Sequence, residues 1–195
     1  MSKPYTVLSC DPGTKNFAVS LLTARKVEEK LRFKIHGTLI LDSTVTQLKQ
    51  DVGRELRNFT NDFDTITGNH NVVPDALFME RFQARGLGGT TIECINFMLG
   101  AMIYKYHETT DIRLPTAATW KNRVNKHVDL KNAYKKYNLH RVITNKTPHE
   151  LDAVLIGMYA CYQHFGLPDF ECFSKGEESL EKFIGYFEQI PTLKL

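Results

Sequence analysis

Apolar and β-branched residues run together from Tyr5 to Cys10, which predicts a buried strand ending at Asp11. Pro12-Gly13 marks a turn, and the apolar run Phe17–Leu22 predicts a hairpin partner. Leu31–Leu41 alternates in places, is β-branched at Ile35, Thr38 and Ile40, and predicts a third strand. Ser43 is the expected N-cap of a helix carrying Val45, Leu48, Val52, Leu56 and Phe59, broken at Gly68-Asn69. Ala76–Met79 predicts a short buried strand that delivers Glu80 at its end. After the Gly86–Gly89 loop, Thr90 or Thr91 caps a helix through Ile92, Ile95, Met98, Leu99, Met102 and Ile103. Asp111–Leu114 reads as a strand closed by Pro115, and shorter helices follow at about Ala117–Val124 and Asp129–Tyr137. Pro148 opens a last core helix, His149 to about His164, which Gly166 and Pro168 end. Beyond it, Leu180, Phe183, Ile184 and Phe187 share one face of an amphipathic helix at about Glu177–Gln189.

Three strands, helix, strand, helix, strand and then helices is the pattern of an α/β fold with a mixed sheet. An antiparallel meander comes first, and crossover helices then add parallel strands. The 195 residues suit one domain. We expect residues 1–165 to form it and residues 166–195 to be a helical extension of it. Hydrophobic residues are 42% and charged residues 24%, a globular composition. Cys10, Cys94, Cys161 and Cys172 include no C-x-x-C pair, so free thiols in a reducing compartment are expected rather than disulfides or a zinc site. No apolar run reaches the roughly eighteen residues of a membrane span, and Met1–Tyr5 lacks a signal-peptide core, so an intracellular soluble protein is expected.

The net charge of +3 hides an asymmetry. Between Arg113 and Lys146 lie nine basic residues, Arg113, Lys121, Arg123, Lys126, Lys131, Lys135, Lys136, Arg141 and Lys146, against the single acid Asp129. That stretch carries +8 and the remainder −5. Such a stretch is either a solvated helical face or a surface that tracks phosphates. Trp120, Tyr134 and Tyr137 interleave with the charges, as core residues or as stacking platforms.

Asp11 and Glu80 each follow a buried strand directly, and the two strands are expected to be parallel neighbours. Their carboxylates then converge at one sheet edge, unless each is an ordinary strand-end charge. Asp152 precedes the run Ala153–Ala160, apolar nearly all round and so buried on both sides. An unpaired carboxylate in its first turns is costly, and a divalent cation removes that cost. On a helix His149 and Asp152 lie about 60° apart, whereas Glu150 lies roughly 160° from Asp152. His149 and Asp152 can share a ligand, whereas Glu150 is read as a favourable charge at the helix N-terminus. Helix capping in solvent is the alternative for His149 and Asp152. Three carboxylates and one imidazole suit Mg²⁺ or Mn²⁺, and two such ions can drive phosphodiester cleavage.

Cys10-Asp11-Pro12-Gly13-Thr14-Lys15-Asn16, Met79-Glu80-Arg81-Phe82 and His149-Glu150-Leu151-Asp152-Ala153 resemble the three motifs of the RuvC-type Holliday junction resolvases, members of the RNase H-like superfamily. The similarity spans roughly residues 5–165, and the Gly-Thr-Lys-Asn form of the first motif is similar to viral, phage and fungal mitochondrial members. The resemblance implies an RNase H-like fold, a homodimer and a four-way DNA junction as substrate, nicked symmetrically to 5′-phosphate and 3′-hydroxyl ends. It implies metal binding by Asp11, Glu80, Asp152 and His149, the last a position held by His in some members and Asp in others. Lys121 and Lys131 fall where the family places basic residues near the scissile phosphate, and Lys131 is expected to take part in catalysis. Arg123, Lys126 and Lys135 belong to the same DNA-contacting stretch. Phe82 and Arg85 match the loop that enters the junction centre, although the aromatic spacing after Glu80 differs from the bacterial pattern. The helix Thr90–His107 matches the dimer-interface helix. No membrane or small-molecule partner is implied.

Other readings stay open at this point. RNase H-like proteins also cut flaps, other branched DNA or RNA–DNA hybrids, and a module that binds junctions without cutting them shares these features. Asp-x-Gly-Thr-Lys is also a phosphate-loop pattern of sugar kinases and actin-like ATPases. That fold, however, needs two such domains and a second glycine-rich adenosine motif, more than a chain of 195 residues is expected to hold.

Overall fold

The computed structural model describes residues 3–28, 30–42, 44–48, 51–70, 72–82, 89–108, 110–124 and 148–166. The expected helix Asp129–Tyr137, the tail helix, Cys172 and the extension beyond Gly166 lie outside them. The described elements are β1 (Tyr5–Asp11), β2 (Phe17–Val27), β3 (Lys30–Leu41), α1 (Val52–His70), β4 (Ala76–Met79), α2 (Gly89–Tyr106), β5 (Asp111–Arg113), α3 (Ala117–Val124) and α4 (Pro148–Phe165).

The five strands form one sheet in the order β3-β2-β1-β4-β5. β1 with β2, and β2 with β3, pair antiparallel, while β4 runs parallel to both β1 and β5. This is the mixed sheet that the alternation of runs predicts. β1 is buried along its whole length because both faces are covered. One face, with Val7, Leu22, Phe33 and Phe78, packs with α4 residues such as Val154 and Leu155. The other, with Leu8, Cys10, Val19 and Leu77, packs with Phe59 and Phe63 of α1 and Ile95, Met98 and Met102 of α2. Cys10, Cys94 and Cys161 are free and buried.

Two boundaries differ from expectation. β2 continues to Val27, carrying its hairpin with β3 past the covered core. α1 begins at Val52, so residues near Ser43 do not start it, and it runs through Gly68-Asn69 to His70. Tertiary bonds explain the late start. The Thr44 hydroxyl donates to the Thr14 carbonyl at 2.6 Å, and the Val45 N–H donates to Met98 Sδ at 3.4 Å. These bonds tie residues 44 and 45 to the turn after β1 and to α2.

α4 lies unusually close to the sheet. A Cβ at Gly157 would come within 2.5 Å of Leu22 Cδ2 and 2.7 Å of Ser9 Oγ. Ser9 Oγ in turn donates to the Ala153 carbonyl at 2.7 Å. The missing side chain at position 157 therefore sets how near the first turns of α4 come to the end of β1. No described helix is long and apolar enough to cross a membrane.

Candidate active site

The parallel register pairs Cys10 with Met79, so Asp11 and Glu80 leave adjacent strands one step further on. The Glu80 N–H donates to the Cys10 carbonyl at 3.0 Å, which extends the ladder through the second acid. α4 starts above this corner. His149 Nδ1 and Asp11 Oδ2 share a hydrogen bond of 2.8 Å. Asp152, one helical turn after His149, takes the Lys121 ammonium at 2.9 Å. The Trp120 indole N–H donates to Glu80 Oε2 at 2.7 Å. Asp11, Glu80, His149 and Asp152, spread over the chain, thus gather at one end of the sheet.

Their mutual influence is visible in protonation. Burial pushes the Asp11 carboxyl up to about 6, and the charges of Asp152 and Glu80 add to the effect, while the hydrogen bond and charge of His149 work against it. Burial also works against the Lys121 ammonium. The hydrogen bond and charge of Asp152 outweigh it, aided by Glu80 and Asp11, so this lysine holds its proton more tightly than usual. Lys121 therefore sits in the field of three carboxylates.

Among the described residues, no group of three or more His, Cys, Asp or Glu side chains is arranged to hold a metal ion. Glu80 is turned to Trp120 and Asp152 to Lys121, each on its own donor.

Glu150 is more than an N-terminal charge. It is buried, and its Oε1 accepts from the Thr38 hydroxyl at 3.1 Å. Its side chain anchors to β3 while His149 faces Asp11, as the wide angle between Glu150 and Asp152 requires. Phe82 is half-buried and packs against the core on the α1 and α2 side of the sheet. Arg85, Lys126, Lys131, Lys135 and the Arg123 side chain lie outside the described residues. Sequence reasoning left Trp120 as a core or stacking residue and missed its bond to Glu80. Nothing local signals that bond, which joins positions 40 residues apart.

No protein-family model and no curated protein matches the sequence. Among solved structures, Thermus thermophilus RuvC superposes with a TM-score of 0.62 at 13% identity, covering 84% of this chain and 98% of that one. T. thermophilus RuvC in complex with Holliday junction substrate gives 0.59 at 16% identity, covering 85% and 98%. The fold is therefore the RuvC-type, RNase H-like fold.

Proposed function

We propose that this protein is a divalent-metal-dependent endonuclease that nicks four-way DNA junctions. The observation that carries the reading is the gathering of Asp11, Glu80, His149 and Asp152 at the C-terminal ends of β1 and β4, with the Asp11 carboxyl pushed up to about 6. Surplus negative charge around a buried carboxylate at the end of a sheet is what a hard cation relieves, and the three carboxylates and one imidazole suit Mg²⁺, with Mn²⁺ as a substitute.

Asp11, Glu80, Asp152 and His149 would hold two such ions. When bound, they would supply an acidified water and stabilise charge on the departing oxygen. In the neutral imidazole, the bond from Nδ1 to Asp11 fixes the tautomer and leaves the Nε2 lone pair available. Lys121, with its side chain 43% exposed beside Asp152, would contact the scissile phosphate. Arg113–Lys146 would offset the repulsion between an acidic site and DNA, with Lys131 at the scissile phosphate and Arg123, Lys126 and Lys135 on the backbone. Phe82 and Arg85 would meet the junction centre. Two copies joined through α2 would place two sites on one junction, and paired nicks would leave 5′-phosphate and 3′-hydroxyl ends.

Cleavage of a mobile four-way junction, a flap and an RNA–DNA hybrid, side by side in Mg²⁺, tests this. Paired nicks across the junction are expected from the parent protein, and none from Asp11→Asn. Preferential cutting of the flap or hybrid would overturn the junction assignment. Undiminished cutting by Asp11→Asn would overturn the site.

A further inference from the structure

We infer that Trp120 is a positioning residue for the acidic site: its buried indole N–H fixes the direction of the Glu80 carboxylate. This rests on the reading of Glu80 as a metal ligand.

Trp120 is the single tryptophan of the chain and is fully buried. It belongs to the core cluster beneath α4 that also contains Phe78, Leu151 and Leu155. Filling that space needs no polar atom, and phenylalanine or leucine would do it without a buried N–H to satisfy. The N–H that tryptophan adds donates to Glu80 Oε2 at 2.7 Å, a short contact of the charge-assisted kind.

The mounting of the indole is closely tied to the strand that carries Glu80. The Arg81 N–H donates to the Pro115 carbonyl at 2.8 Å, and Arg81 and Thr116 form a parallel bridge. Thr116 then caps α3, its hydroxyl accepting from the Thr119 N–H at 3.2 Å. The Trp120 N–H bonds to the Thr116 carbonyl at 3.3 Å in the same turn. A closed circuit therefore runs from Glu80 through Arg81, Pro115, Thr116 and Trp120 back to the Glu80 side chain. Backbone bonds hold the links as far as Trp120, and its ring is fully buried, so the indole has little freedom to follow a carboxylate that swings. The next residue, Lys121, lies with its ammonium 4.8 Å from the Trp120 ring and bonds Asp152. Consecutive residues of one short helix thus set the orientation of two acids. Groups that orient metal ligands in this way are worth roughly 10–100-fold in metal affinity.

Calorimetric titration of Mn²⁺ into the full-length protein, Trp120→Phe, Glu80→Gln and the double variant tests the inference. Glu80→Gln should weaken binding, and Trp120→Phe should weaken it by roughly 10–100-fold. The double variant should bind no worse than Glu80→Gln alone, since the indole acts only through that carboxylate. Parent-like binding by Glu80→Gln would overturn the reading of Glu80 as a ligand. Weakened binding by Glu80→Gln with parent-like binding by Trp120→Phe would overturn the inference alone. The parent protein supplies a readout that does not depend on the variant folding, because all its tryptophan emission comes from Trp120. Saturating Mg²⁺ should shift that emission in the parent and not in Glu80→Gln. Calorimetrically demonstrated Mg²⁺ binding with unchanged emission would overturn the inference.

Discussion

His149 and Asp11 are joined side chain to side chain at 2.8 Å, although 138 residues separate them in sequence. The bond ties the first turn of α4 to the end of β1 and leaves Asp11 buried, facing the charges of Asp152 and Glu80. Its carboxyl is accordingly pushed up to about 6, and at neutral pH its ionised form is held against burial and like charge. Asp11→Asn keeps the shape and removes the charge. We expect it to abolish cleavage while raising stability in EDTA at pH 7.5 by about 1–2 kcal/mol. Urea unfolding of the two proteins in EDTA measures this. A less stable variant would show that Asp11 is not electrostatically strained.

Lys121 answers Asp152 from a half-exposed position. An ion pair of that kind contributes at most about 1 kcal/mol, because solvent screens it. Lys121→Met should therefore lower the melting temperature by only a few degrees, roughly 2–4 °C per kcal/mol for a chain of this size. Junction cleavage at saturating Mg²⁺ should fall at least about tenfold, the loss expected when one charge-assisted contact to the reacting phosphate goes. Single-turnover rates on a preformed complex separate the two effects. An unchanged rate would remove Lys121 from the reaction.

Much of this arrangement is legible along the chain, for a local reason. Ala76–Met79 and the run after Asp152 are apolar without interruption, so each could only be buried, and an acid at the end of a buried element has few places to point. That logic locates Asp11, Glu80 and Asp152 without coordinates. It fails where distant segments decide the local structure. The α1 start moved to Val52 because Thr14 and Met98 hold residues 44 and 45, and neither bond leaves a trace near Ser43. Glu150 reads only as a favourable charge at the helix N-terminus because Thr38 lies 112 residues away. The bond from Trp120 to Glu80 depends on how α3 is mounted on β4, which no periodicity encodes.

Gly157 sits against the β1–β2 hairpin. Gly157→Ala would place a methyl group 2.5 Å from Leu22 Cδ2 and 2.7 Å from Ser9 Oγ, so something must move. Alanine favours the helix by roughly 1 kcal/mol, but overpacking a close contact costs about 1–3 kcal/mol. Net destabilisation is expected, visible as a lower urea midpoint. Because Ser9 holds the Ala153 carbonyl, cleavage should fall with stability as α4 is pushed off the site. Equal or greater stability would show that the helix can lift without cost.

Tyr5 and Tyr106 set a limit at high pH. Burial pushes both phenols up to about 12, Tyr5 further raised by Cys161 and Asp111, and Tyr106 by Asp64. The folded state thus binds these protons more tightly than the unfolded chain, whose tyrosines titrate near 10. Their contribution is fully present below about pH 10 and is lost as pH rises through about 12. Stability of the parent should fall steeply across that window. Tyr106→Phe should fall less steeply, by roughly 1–2 kcal/mol, since one of the two raised phenols is gone. Unfolding midpoints at pH 9, 10 and 11 measure the difference. Parallel curves would show that Tyr106 ionises freely in the folded state.

α2 presents two faces. Cys94, Ile95, Met98, Leu99 and Met102 face the core, whereas Phe97 is 48% exposed and Tyr104 80% exposed. Phe97, Gly100 and Tyr104 fall within about 60° of one another around the helix, so two aromatic rings flank a position with no side chain. Such a face lets a second helix approach closely and insert its own rings, a self-complementary arrangement suited to a two-fold dimer. Sedimentation of the parent should therefore give twice 22.4 kDa at micromolar concentration. Phe97→Glu with Tyr104→Glu should give a monomer of unchanged helix content. That monomer should still bind Mn²⁺ but lose paired nicking of a junction, because the four proposed ligands lie on one chain while paired nicks need two copies. A monomeric parent, or a double variant that remains dimeric, would place any dimer contact elsewhere than on this helix.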